Sequence, residues 1–336
     1  MLQTGIDQYG NIQSYDQMLA ATYYDAMAVY LQIYQHTGDA KWLTCAQAAK
    51  VQYRDNYVMR PDGQGQVPGY WNFTNGLLMD YQINGDETSK TAAVLLSQNA
   101  SYAADYTPLG WTESAAVSRE VAYAIRSYLN TEKLGEPRRA RLTDLVNQAF
   151  GHIDQWFISK SFRTNAGYAD YGIPVGVYYI QPFMVGLTME ALIMYYDATN
   201  DPLERAKVVS YVQVCLDWLW TNAWVPADGA FWYENDVPDA SVPFFSQPGA
   251  PDLNLLIAPA YAWLYMITGN ATYRDRGDQV FAGGVQGAYL EGPKQFNQNY
   301  VKSFDYVKWR QQAETATPAP AVSPVPAVPK TPIRKP

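Results

Sequence analysis

Residues 255–267, LLIAPAYAWLYMI, are apolar or aromatic at nearly every position, and after the turn Thr268-Gly269-Asn270 the stretch 273–279 becomes charged and amphipathic. A helix that is apolar all round is covered on several sides, whereas one with a single apolar stripe lies on a core and turns its other face to water. The pattern therefore predicts an inner helix, a tight turn and an outer helix. The same unit recurs around Tyr34-Gln35-His36-Thr37-Gly38-Asp39, Tyr81-Gln82-Ile83-Asn84-Gly85-Asp86 and Tyr196-Asp197-Ala198-Thr199-Asn200-Asp201.

In chain order the periodicity predicts helices over 14–36 and 40–57, one starting near 70–72, and others over 87–103, 112–128, 135–158, 179–197, 202–222, 253–268 and 273–281. Ser14 and Thr112 are N-cap candidates, Pro137 suits a first helical turn, and the piece 291–310 holds a polar run and a final helix. Turns within a helical pair are short, as antiparallel neighbours require. Loops between pairs, at 59–69, 105–111, 159–176 and 224–251, are long and rich in Gly, Pro, Trp and Tyr. Because successive helices alternate in direction, all the long loops emerge at one end, leaving a plain face opposite an elaborate one. Phe231-Trp232-Tyr233-Glu234 in the last of them suits a short hairpin.

Composition narrows the partners. With 336 residues and 48% hydrophobic content the chain buries one large core, read as a domain over 1–312. The stretch 313–336, ending in APAVSPVPAVPKTPIRKP, is a Pro/Ala/Val tail or linker to which a further module can be attached. A net charge of −8 without a basic block argues against nucleic acid. No apolar run reaches a membrane span and no signal-peptide pattern opens the chain, so the protein is cytoplasmic or its leader has been removed; the linker-like tail points to the latter, an extracellular or periplasmic module. Cys45 and Cys215 lie far apart in outer helices and read as packing groups. His36 and His152 supply too little material for a histidine zinc site or a Ser-His-Asp triad, and no phosphate loop or dinucleotide fingerprint occurs, so no metal and no cofactor is expected.

The repeated inner helix, Thr/Asn-Gly-Asp turn and outer helix, joined by long aromatic loops, resembles the α/α-toroid carbohydrate-active enzymes of the six-hairpin glycosidase-like group over about residues 14–310. That resemblance implies an all-α toroid of five to six helical hairpins with long loops on one face. It also implies a carbohydrate substrate, with glycoside hydrolases, polysaccharide lyases and sugar epimerases all known on this scaffold.

Hydrolysis of a glycosidic bond needs two carboxyl groups flanking it. On the loop-bearing side the candidates are Glu113, Asp170, Glu234 and Asp16, with Asp62, Asp105, Asp236 and Asp252 behind them. Four have a plainer reading: Glu113 and Asp16 favour a helix N-terminus, Asp252 can be an N-cap, and Asp170 is a turn residue. Glu190 inside an apolar inner helix needs a buried partner, and Asp80 near the plain face is structural. Tyr70, Trp71, Trp111, Tyr171, Tyr178, Tyr179, Trp232 and Tyr233 fall in or beside the long loops, where rings stack on the C–H faces of sugars or plug gaps between loops. Asn254 and Asn297 are candidate hydrogen-bonding groups for hydroxyls. The reading is a glycoside hydrolase acting on a polysaccharide or oligosaccharide. A lyase with a tyrosine base and Arg60 or Arg163 neutralising a uronate is the first alternative, and a non-catalytic glycan-binding or surface module the second.

Overall fold

The computed structural model describes residues 2, 4–7, 10–159, 180–234 and 248–315. Inner helices α2 (Ala26–Thr37), α4 (Asn75–Asn84), α6 (Ser118–Lys133), α8 (Pro182–Ala198) and α10 (Ala258–Thr268) alternate with outer helices α3 (Lys41–Lys50), α5 (Glu87–Asn99), α7 (Arg141–Ile153), α9 (Pro202–Asn222) and α11 (Ala271–Gln286). A short α1 (Tyr15–Ala20) precedes them, and α12 (Pro293–Tyr300) and α13 (Ser303–Thr315) follow. Each inner helix packs on the next, α13 packs on α10, and α12 reaches α2, which closes the ring. The molecule is an α/α toroid with five complete hairpins, its sixth inner position filled by the broken pair α12 and α13. Residues 313–315 continue α13, and the rest of the Pro-rich tail lies outside the described residues.

The repeated turn has a local cause. The Thr37 and Thr268 hydroxyls each donate to the carbonyl four residues back and accept the N–H two residues on. Gly38, Gly85 and Gly269 then end α2, α4 and α10 at φ 70°, 67° and 67°, a conformation that disfavours a Cβ. The following Asp39, Asp86, Asp201 or Asn270 accepts an N–H from the first turn of the outer helix. Such short-range bonds explain why these turns are readable from residue order alone.

Elements differ from expectation where longer-range contacts act. The helix predicted over 14–36 is broken: Ser14 caps α1 with a full capping box, but residues 21–25 turn, and Tyr24 and Asp25 take φ of 61° and 58°. The predicted capping of a helix by Thr112 is also replaced. Leu109–Thr112 and Ala115–Val117 form 3-10 turns, and α6 begins only at Ser118. Outer helices α3 and α7 each end in a wider π-type turn, over Val51–Val58 and Asp154–Ile158. The hairpin expected over Phe231-Trp232-Tyr233-Glu234 is displaced: Trp224–Val225 pairs with Ala230–Phe231, and Trp232 makes only an isolated bridge to Gly249.

The two cysteines are free, Cys45 half-buried and Cys215 buried. Asp80 is structural, accepting from Lys50 at 3.2 Å and from Asn84 at 2.8 Å. Glu190 projects from α8 into the ring interior, where Arg126 of α6 lies at 3.3 Å and Lys302 of the closing segment is in contact.

Candidate functional site

The loop-bearing face collects the N-terminal ends of all the inner helices, and every one brings a polar or aromatic side chain with it. The 21–25 turn before α2 carries Tyr23 and Tyr24, and the 3-10 turn Gly69–Trp71 before α4 carries Tyr70. The first turn of α6 supplies Arg119 and Glu120, and Gln181 and Phe183 stand at the start of α8. Tyr233 and Glu234 follow the hairpin, Asp252 opens the 3-10 turn Pro251–Leu256 before α10, and Lys294 and Gln298 come from α12.

Contacts bind these groups into one cluster. Arg119 grips Glu120 Oε1 through Nη2 at 2.7 Å and Nε at 3.1 Å, and its guanidinium lies 5.3 Å from the Tyr70 ring. Burial alone would weaken the Arg119 cation, but Glu120 holds it firmly protonated, and Arg119 also feels Tyr23 and Tyr123. A Cβ at Gly69 would meet Glu120 Cγ at 2.9 Å, so the Tyr70 turn is seated directly on this pair. Tyr23 meets Tyr24, Trp71 and Phe73 edge-on at 4.9, 4.9 and 5.3 Å, and Lys294 lies 5.3 Å from its centroid. On the other side Tyr233 stacks on Phe183 at 5.7 Å, Gln181 donates to Glu234 Oε2 at 3.1 Å, and Gln298 donates to Asp252 Oδ2 at 3.2 Å. The two sides share one field: burial raises the Tyr24 and Tyr233 phenols, and both feel Arg119 and Asp252.

The Tyr24 turn is held against backbone strain. Non-glycine residues in the left-handed region cost about 1–3 kcal/mol each and persist where surroundings over-determine them. Asp25 accepts the N–H of Gly76 at 3.1 Å and of Ala28 at 3.3 Å, tying α2 to α4. Asn297 of α12 donates to the carbonyls of Ala21 and Tyr23, both at 2.9 Å. Tyr23 and Tyr24 are thereby presented from a clamped turn.

The expected residues scatter. Glu234 and Tyr233 belong to this cluster, with Tyr70 on its rim and Trp71 behind Tyr23. Asp16 is exposed in the first turn of α1, where a carboxylate suits the helix dipole. The backbone around half-buried Glu113 is tied to the outer helix α7 and its π-type end: the Glu113 carbonyl accepts from Gln155 at 2.8 Å, and the preceding Thr112 carbonyl lies 2.8 Å from His152 of α7. Glu113 caps a 3-10 turn, so its helix-dipole reading is withdrawn with the helix start. Trp111 is 63% exposed on the same loop. Trp232 meets Trp218 of α9 edge-on and donates to Asn222, filling a gap between loop and outer helix.

Asn254 is corrected to a structural role, its amide donating to Gly229 and Val280 carbonyls and its oxygen accepting from Phe231 N–H. Asn297 likewise spends its donors on the clamp. Asp62 is exposed beside Arg60, and Asp105 pairs with Arg139 on the flank. Asp170, Tyr171, Tyr178, Tyr179, Asp236 and Arg163 lie outside the described residues.

Residue order alone does not single out Tyr23, Tyr24, Arg119, Glu120, Gln181 and Gln298. The available signal was a charged pair at the head of the largely buried helix 118–131, and Tyr-Tyr-Asp interrupting an apolar period. Both histidines are remote: His36 lies in the last turn of α2 on the plain face, and His152 is buried in α7. Among the described residues no group of three His, Cys, Asp or Glu side chains is placed to hold a metal ion, and no helix is long and apolar enough to cross a membrane.

No protein-family model matches the chain, and no curated protein sequence matches it. Among solved structures the fold is similar to cellobiose 2-epimerase from Bacillus thermoamylovorans B4167, with TM-score 0.54 and 11% sequence identity over 84% of this chain and 87% of that one. At this identity the likeness concerns the fold.

Proposed function

We propose that this α/α toroid is a carbohydrate-active enzyme, and specifically a glycoside hydrolase whose carboxyl pair is Glu234 and Asp252. The reading is carried by one observation: carboxyls from two separate loops and Glu120 converge with Tyr23, Tyr24, Tyr70 and Tyr233 at the inner-helix N-termini. One of the pair protonates the leaving glycosidic oxygen, and the other acts as base towards water or as nucleophile at the anomeric carbon. The phenol-rich wall stacks on sugar rings, and Arg119, anchored by Glu120, hydrogen-bonds their hydroxyls. The epimerase of similar fold also handles a sugar by its printed name, which accords with a saccharide at this mouth.

The test is reducing-end release from a panel of neutral polysaccharides. General acid–base groups contribute about 10²–10⁴-fold, so Glu234→Gln and Asp252→Asn are each expected to lower the rate by at least ~100-fold, with Glu113→Gln at the wild-type rate. Cleavage indifferent to both substitutions removes the pair, and no cleavage of any polymer turns the reading towards a glycan-binding module. Arg119 beside two tyrosines also favours a second reading, a lyase in which Arg119 neutralises a uronate and a phenol takes the proton. Products absorbing as unsaturated uronides, lost in Arg119→Gln, would establish it.

A further inference from the structure

On the flank of the ring, away from the mouth, a cavity of about 760 Å³ lies between outer helices α5 and α7. Its wall includes Arg141, which is 9% exposed and whose Nε and Nη2 have no hydrogen-bonding partner among the described residues. The neighbouring arginines are already matched: Arg138 grips Glu132 at 2.9 Å and Arg139 grips Asp105 at 2.6 Å. Leaving a buried guanidinium unpaired is costly, so such a group points to a partner that the protein itself does not provide. A second feature has the same sign. The N-terminus of the 13-residue α7 opens on this cavity through Ala140, which offers no side-chain cap to the first-turn N–H groups, of which that of Leu142 is taken up by the Arg139 carbonyl at 3.1 Å. The remaining wall is of another kind: the Glu136 and Asp144 carboxylates and the Gln98 amide accept hydroxyl protons, and Tyr106 is 70% exposed at the edge. Two carboxylates disfavour a bare dianion but suit hydroxyl groups attached to an anion.

We propose that this flank cavity is a second binding site, distinct from the mouth, for a hydroxylated anion of the size of an acidic sugar unit, its charge held by Arg141 and the N-terminus of α7. A uronate within a glycan and a phosphorylated sugar share that chemistry. The volume is within the range of small-ligand sites, roughly 300–1,000 Å³.

Calorimetric titration of the full chain with glucuronate, glucose 6-phosphate, glucose and inorganic phosphate tests it. A hydrogen-bonded charge is worth about 1.5–3 kcal/mol, so glucuronate or glucose 6-phosphate is expected to bind at least ~10-fold more tightly than glucose. Whichever of the two binds better identifies the source of the anion. Arg141→Met is expected to weaken that binding by at least ~10-fold, while Arg274→Gln on the outer helix α11 leaves it intact. Gln98→Trp, at an exposed position on the wall, blocks the cavity and serves the same comparison should Arg141→Met fail to fold. Absence of binding by both sugar anions, equal affinity for glucose, inorganic phosphate binding as tightly as the sugars, or binding that survives both cavity variants would each overturn the proposal.

Discussion

At the scale of single residues, burial without a full set of partners separates structural groups from chemical ones. His152 is fully buried, with Nε2 2.8 Å from the Thr112 carbonyl, and burial drives its pKa from 6.5 down to about 4. It is neutral in the folded chain, while the unfolded chain takes up a proton below about 6.5. The unfolded state therefore binds more protons, and stability present at neutral pH is lost as pH falls from about 6.5 towards 4, by roughly 3 kcal/mol in total. Urea unfolding at pH 7.5 and pH 5 should show His152→Gln losing less stability on acidification than wild type; equal losses would remove His152 as the cause. The role as a packing histidine was readable from its place in an amphipathic helix. The partnership of Arg119 with Glu120 was not, because a charged pair heading a helix looks the same whether it meets solvent or a ring of tyrosines.

At the scale of elements, backbone approach decides which glycines matter. A Cβ on Gly186 in α8 would sit 2.5 Å from the Leu256 carbonyl and 3.1 Å from Ile257 Cγ1, so the inner helix touches the turn leading into α10 with no room for a methyl group. Gly186→Ala is expected to cost about 1–3 kcal/mol, overpacking outweighing the gain in helix propensity. Gly151 in α7 has nothing within 4 Å of its would-be Cβ, and Gly151→Ala is expected to stabilise by about 0.5–1 kcal/mol. Thermal melts of the two variants should move in opposite directions, and a shared direction would show that propensity governs both sites. Hairpin turns were legible because Thr-Gly-Asp makes its bonds within a few residues. The break between α1 and α2 was not, since the partners that hold Tyr24 and Asp25 in the left-handed region, Gly76 and Asn297, are 51 and at least 274 residues away from the groups they bind.

At the scale of the molecule, closure of the ring places charges inside it. Lys302, between α12 and α13, reaches Glu190 of α8, which also meets Arg126 of α6, with all three side chains no more than 11% exposed. Removing one member of a buried ion pair costs about 3–5 kcal/mol because a charge is stranded, whereas removing both costs much less. Lys302→Met should therefore be strongly destabilising, and Glu190→Gln together with Lys302→Met should lose clearly less than the two single losses added. Denaturant midpoints give the cycle, and additive losses would mean that the pair does not link the closing segment to the barrel.

The sequence by itself determined the alternation of inner and outer helices, the turns between them and the face bearing the long loops, because each depends on periodicity and short-range hydrogen bonds. Only the tertiary structure decided which side chains share the mouth. Tyr24, Arg119, Tyr233 and Asp252 come from four stretches of chain, and it is ring closure that brings them into one electrostatic field. It also seated Trp232 against the outer helix α9, since a loop residue's neighbours depend on where its flanking helices stand, which local pattern does not encode.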